Sequence, residues 1–109
     1  MAYDEGVAQR LREVLAERHD IVEKKMFGGI AFMLSGNMCC GVINDTLMAR
    51  VGPEQYPAAL KETHAREMDF TRKPLKGFIY VAPEGFDDDE DLQVWVDRCL
   101  NFAGSLPPK

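Results

Sequence analysis

A two-layer α+β domain is predicted for this chain, with an antiparallel sheet of about five or six strands packed by the N- and C-terminal helices on one face. Three observations predict it. Residues 4–18 carry one apolar helical stripe, residues 22–51 carry short apolar runs separated by turn residues, and residues 92–102 carry a second helical stripe. At 109 residues the chain is long enough for one core, and no period of fixed length repeats in it.

In the first helix Val7, Leu11, Val14 and Leu15 follow the i, i+4, i+7, i+8 spacing of one buried face. Asp4 caps it, Glu5 meets the positive end of the helix dipole, and Arg18 and His19 lie at the other end, so the helix stops near His19-Asp20. Residues 21–27 form the first strand. Gly28-Gly29 follows as a bulge or sharp bend, because glycine changes chain direction at little steric cost. Strands over 30–34, 38–43 and 46–51 are joined by turns at Ser35-Gly36-Asn37 and Asn44-Asp45, a meander of short hairpins.

Gly52-Pro53 ends the meander, Pro53 opens a short helix, and Pro57 limits or splits it. Extended segments over 67–70 and 77–82 flank a basic loop at 71–76. Five acids, Asp87 to Asp91, then open the last helix, whose apolar positions are Leu92, Val94, Trp95, Val96, Cys99, Leu100 and Phe102. Gly104 closes it. The domain therefore spans 3–104, with 105–109 as a short tail. Its core is expected at Leu11, Leu15, Phe27, Ile30, Phe32, Val42, Leu47, Val51, Ile79, Val81, Trp95 and Leu100.

Composition narrows the function classes. A net charge of −5 disfavours direct nucleic-acid binding, which draws its affinity from phosphate neutralisation. The apolar run at 30–34 falls far short of a membrane span, and the N-terminus has no basic-plus-apolar leader. Three cysteines, an odd number in a chain without such a leader, point to reduced, buried thiols and a cytoplasmic setting.

No catalytic constellation is legible, and no cofactor is expected. Gly28-Gly29 lacks the spacing of a phosphate-cradling loop and does not open a helix. Cys39 and Cys40, neighbours in a strand, should point to opposite faces, which favours packing thiols over a metal or redox pair. His19 and His64 stand apart from any nucleophile motif. The acids at 87–91 lack a calcium-loop pattern, so they read as a helix start, and no metal site is expected. One arrangement resembles a binding patch: Arg66, Arg72, Lys73 and Lys76, with Phe70, Phe78 and Tyr80 near them in sequence. Lys24, Lys25 and Arg50 enlarge it if they share a face. The bland alternative is a solvated loop over an aromatic core.

The run Lys25-Met26-Phe27-Gly28-Gly29, in this order of elements, resembles the N-terminal domain of TfoX/Sxy proteins. Gly36 after Phe32-Met33, the stretch from Asp45 to Val51 and Gly77-Phe78-Ile79-Tyr80-Val81 extend the likeness over nearly the whole chain. The resemblance implies an α+β domain of a family named for regulators of competence that act in transcription activation. It also implies a non-enzymatic module working through a protein partner, with a homodimer formed at an open sheet edge as one arrangement. Two alternatives from other classes stay open: a domain, binding or enzymatic, that takes a small anion through loop 66–76, and direct nucleic-acid binding.

Overall fold

A computed structural model of the chain describes residues 3–18, 20–26, 28–68 and 77–108. The elements are α1 (Glu5–Val14), β1 (Ile21–Met26), β2 (Gly29–Leu34), β3 (Asn37–Ile43), β4 (Thr46–Arg50), α2 (Tyr56–Leu60), β5 (Ala65–Glu67), β6 (Phe78–Val81), a 3₁₀ turn (Pro83–Gly85) and α3 (Asp89–Gly104). Among the described residues the six strands form one open antiparallel sheet in the order β1-β2-β3-β4-β6-β5. The predicted class and strand number hold. The order is less simple than a meander, because β6 inserts between β4 and β5 and leaves β1 and β5 as edges.

α1 starts as its cap dictates: the Asp4 carboxylate accepts from the backbone N–H groups of Gly6 and Val7 at 2.7 and 3.2 Å. It ends earlier than its periodicity suggests. Leu15 leaves helical geometry at φ −96° and ψ 6°, yet remains buried and completes the apolar stripe from a turn. His19 lies outside the described residues.

Both short turns of the meander have two residues. Leu34 pairs with Asn37 across Ser35 and Gly36, whose φ angles are +50° and +87°, and two consecutive positive φ values suit the right-handed twist of a hairpin. The Gly28-Gly29 expectation resolves to the bend: Met26 pairs with Gly29, and Gly28 has φ +77° in the turn between β1 and β2. The bulge lies elsewhere. Phe32 pairs with Cys40 and Met33 with Met38, so Cys39 is the extra residue in β3.

The short helix also shifts. It begins at Tyr56, and Pro57 sits in its first turn, where a missing N–H leaves no bond unmade, so Pro57 starts the helix and does not split it. β5 occupies Ala65–Glu67, earlier than the expected 67–70, and Phe70 lies outside the described residues.

Strand alternation sorts the sheet into two buried layers. Facing α1 and α3 are Ile30, Phe32, Leu34, Cys40, Val42, Leu47, Ala49, Val51, Ile79 and Val81, clustered with Leu11, Trp95 and Cys99. The opposite face carries a second buried group: Ala31, Met38, Met48, Met68 and Tyr80. Of the expected core, Leu100 is only partly buried at the rim, and Phe27 lies outside the described residues. Val94, placed on the apolar stripe of α3 by sequence, is 53% exposed, because Trp95, Val96 and Cys99 already fill the contact with the sheet.

Candidate functional site

The glycine signature is structural. Gly29 sits where the backbone of β3 approaches: a Cβ there would overlap the carbonyl oxygen of Val42. Gly28 needs its positive φ for the turn, and Gly36 does the same in the next hairpin. Lys25 and Met26 continue β1 into the turn, and Phe27 lies outside the described residues. Among the described residues the turn leads directly from β1 into β2 and opens no helix.

The basic patch divides. Arg72, Lys73 and Lys76 fall outside the described residues. The remaining members are sorted by register, since directly opposed residues of an antiparallel pair point to one face. One row crosses the whole sheet on the face away from the helices: Lys24, Ala31, Gly41, Met48, Tyr80 and Arg66. Lys24 and Arg66 thus share a face but stand five strand spacings apart, about 24 Å. Lys25 opposes Ile30 and points toward the helix side. Lys24 and Lys25 therefore do not enlarge the patch. Arg50 and Arg66 do converge on β6: Arg50 pairs with Phe78 and Arg66 with Tyr80, each guanidinium lying over its partner's ring at 5.2 and 4.7 Å.

Arg50 has a second ring that sequence reasoning missed, Phe102 of α3, also at 5.2 Å. Its Nη1 donates to the Met38 carbonyl at 3.3 Å, and burial lowers its pKa from the usual arginine value. Apart from Arg50 and Arg66, the described arginines are committed to carboxylates. Arg10 meets Asp89, Arg12 meets Glu23 and Glu5, Arg18 meets Asp20, and Arg98 meets Glu62. Arg10 also donates to the carbonyls of Phe86 and Asp87, tying α1 to the start of α3 beneath the acidic run. The acids at 87–91 are all exposed, as a helix start requires.

The cysteines correct the expectation most sharply. The bulge at Cys39 cancels one alternation step, so Cys39 and Cys40 both join the helix-side core, where Cys99 of α3 meets them. All three are free and buried. Cys40 is raised well above the ordinary thiol value, first by its hydrogen bond with Cys39 and then by burial, while burial leads the rise at Cys99. Such thiols are poor nucleophiles. We expect all three to resist a thiol reagent such as DTNB in the native protein and to react together once the chain is unfolded in guanidinium. A thiol that titrates within the dead time of mixing would contradict this burial.

Among the cavities open at the surface of the described residues are the following three. One of about 430 Å³ lies between the chain after β4 and the last turns of α3, lined by Pro53, Glu54, Arg98, Asn101 and Phe102. A second, about 230 Å³, lies beside Glu62, His64, Asp91, Trp95 and Arg98. The third, about 380 Å³, separates the end of α1 from β1 beside Arg12, Glu23 and Phe32. Arg98 stands in the first two, stacked on Trp95 at 5.0 Å and bonded to Glu62 at 2.9 Å. Sequence reasoning passed over it, although its i+3 spacing from Trp95 places both on one helix face. His64 is exposed at φ +73°, and its carbonyl accepts from the Ala82 N–H at 2.9 Å, a connecting role.

Among the described residues no group of three or more His, Cys, Asp or Glu side chains is arranged to hold a metal ion, and no helix is long and apolar enough to cross a membrane. No curated protein and no solved structure matches the chain. Residues 13–103 match the family model of the TfoX N-terminal domain, from the end of α1 to the last turn of α3, and the chain belongs to that family.

Proposed function

We propose that the chain is a non-enzymatic interaction module that contributes to transcription regulation in the cytoplasm through contacts with a protein partner. Membership of the TfoX N-terminal domain family supports the regulatory context. The observation that carries the contact itself is β1. Among the described residues this six-residue strand pairs with β2 on one side only, and its Val22 is 65% exposed. An edge of this length can accept an added strand from another chain.

Lys24 and Lys25 make that addition selective, because lysine on an edge discourages indiscriminate pairing. A second copy of the chain is the less favourable occupant. The longest two-fold antiparallel registers of β1 with itself place Lys24 opposite Lys24 or Glu23 opposite Glu23, and like charges directly opposed are destabilising.

Capture of the tagged protein from its own cells at low salt should retain a regulator or polymerase component through nuclease treatment, and Val22→Lys on β1 should release it. Loss of every partner on nuclease treatment would assign the contact to nucleic acid. Recovery of the bare protein in both arms would remove the support for a protein-contact module.

A further inference from the structure

The open edge of β1 has a definite hydrogen-bonding phase. In a two-residue hairpin the closing pair exchanges both of its backbone bonds, and here Met26 and Gly29 close the turn. The other end of the ladder agrees, since the Ser35 N–H donates to the Asp20 carbonyl at 3.1 Å. Bonding to β2 therefore falls on positions 20, 22, 24 and 26, and the N–H and C=O groups of Ile21, Glu23 and Lys25 point away from β2. Among the described residues no strand pairs with β1 on that side. Val22, Glu23, Lys24 and Lys25 are all exposed, so the approach is clear.

The side chains along this edge select what can be added. Ile21, Glu23 and Lys25 oppose Leu34, Phe32 and Ile30 and lie on the helix side. There the cavity of about 380 Å³ beside the end of α1 borders the edge, with Leu15, Ile21 and Phe32 among its walls. Its two arginines are already taken, Arg12 by Glu23 at 2.9 Å and Arg18 by Asp20 at 3.2 Å, so it offers an added side chain apolar contact and no free charge. Lys24 and Lys25 are the opposite case. Neither meets a carboxylate within ion-pair distance among the described residues. They are adjacent, one on each face of the sheet, so acids at two successive positions of an added strand match them.

From this edge we infer that β1 takes an antiparallel strand of a partner protein whose sequence runs acid, acid, neutral, β-branched, large aliphatic. The acids face Lys25 and Lys24, the neutral residue faces Glu23, the β-branched residue packs beside Val22, and the aliphatic side chain, facing Ile21, enters the cavity at α1. This rests on the reading of β1 as a protein-contact edge and names the chemistry of the strand it takes. The antiparallel direction is the more stable one per residue. A second copy of the chain lacks the pattern, because the one acid of its β1, Glu23, is held by Arg12. Nucleic acid has no alternating row of N–H and C=O groups to satisfy the edge.

The test is fluorescence anisotropy at low salt on the full chain, with a fluorescein-labelled peptide carrying Glu-Glu-Thr-Val-Leu. The comparison probes are the same residues in reverse order and a peptide with proline in place of the threonine, which removes the N–H that donates to the Glu23 carbonyl. The first peptide should bind saturably and both others should bind far more weakly. Lys25→Glu and Lys24→Glu should each weaken binding about tenfold, since an attraction becomes a repulsion. Lys61→Glu, in the turn after α2 on the β5–β6 side of the sheet, should change it less than about twofold. All three lysines are exposed, so the variants keep the fold. In the complex, hydrogen exchange at the amides of Glu23 and Lys25 should slow about tenfold, with those of Val22 and Lys24 unchanged. Equal binding of the reversed or proline peptide, equal binding by Lys25→Glu and the parent, no saturable binding of the first peptide, or no slowing at Glu23 and Lys25 would each overturn the site. If the peptide fails while a captured protein is still released by Val22→Lys, the acid-to-aliphatic pattern alone is wrong; if capture fails as well, so is the module reading.

Discussion

Phe32→Ala should lower the unfolding free energy by about 3–5 kcal/mol, the range for emptying a fully buried aromatic site. Phe32 is 1% exposed at the centre of β2, opposed by Glu23 on one side and Cys40 on the other, and belongs to the helix-side core with Leu11 and Trp95. Its ring also walls the cavity between α1 and β1. Truncation would therefore join that cavity to the core and admit water, which leaves little for the surrounding side chains to collapse onto. For a domain with about 5–15 kcal/mol in total, this can exceed half of its stability. Urea denaturation checks it. The midpoint should fall sharply at an unchanged slope, and Phe32→Leu, which keeps most of the volume, should lose under about 1.5 kcal/mol. A loss below about 1 kcal/mol for Phe32→Ala would mean that the ring is not the centre of the core.

Gly29→Ala should cost about 3 kcal/mol, the upper end of the range for overpacking, although it adds only one methyl group. The added carbon would meet the carbonyl oxygen of Val42, with the Val42 carbonyl carbon and the Ile43 Cα each at 3.1 Å. Those are backbone atoms of the paired strand, so no side-chain rotation relieves the overlap, and β2 and β3 must separate locally. Gly28 supplies the contrast. Nothing lies within 4 Å of a Cβ there, and the cost of Gly28→Ala comes only from φ +77°, about 1–2 kcal/mol. Gly28→Asn should be milder still, since asparagine tolerates the left-handed region. Urea midpoints for the three variants should rank in that order. A Gly29→Ala protein as stable as the parent would place the close approach elsewhere.

These two glycines mark how far sequence reasoning reached at the candidate site. The pair was legible as a chain reversal because glycine between two apolar runs has a local steric meaning. That the two serve different needs was not, because Gly29 answers to a carbonyl thirteen residues further along the chain. The cysteines show the same limit with the opposite result. Alternation predicts that Cys39 and Cys40 diverge, and one unpaired residue in β3 reverses that outcome and gathers them with Cys99. The patch residues divide on the same ground. Arg50 and Arg66 converge only because β6 lies between β4 and β5, an order that the succession of elements along the chain does not contain.

The amino-acid order carried the α+β class, the two flanking helices, the hairpin turns and most of the helix-side core. Each is written in local periodicity or in turn chemistry that acts over a few residues. The family resemblance was legible for the same reason, since its signature is one contiguous run beside a fixed succession of elements. Tertiary structure alone decided the strand order, the bulge, the second buried layer of methionines and the choice of which arginines meet carboxylates. Arg10 finds Asp89 across 79 positions and Arg98 finds Glu62 across 36, while Arg50 and Arg66 lie over rings of β6 and, among the described residues, meet no carboxylate. Such pairings depend on register between distant strands, and a shift of one residue in that register moves every side chain to the other face.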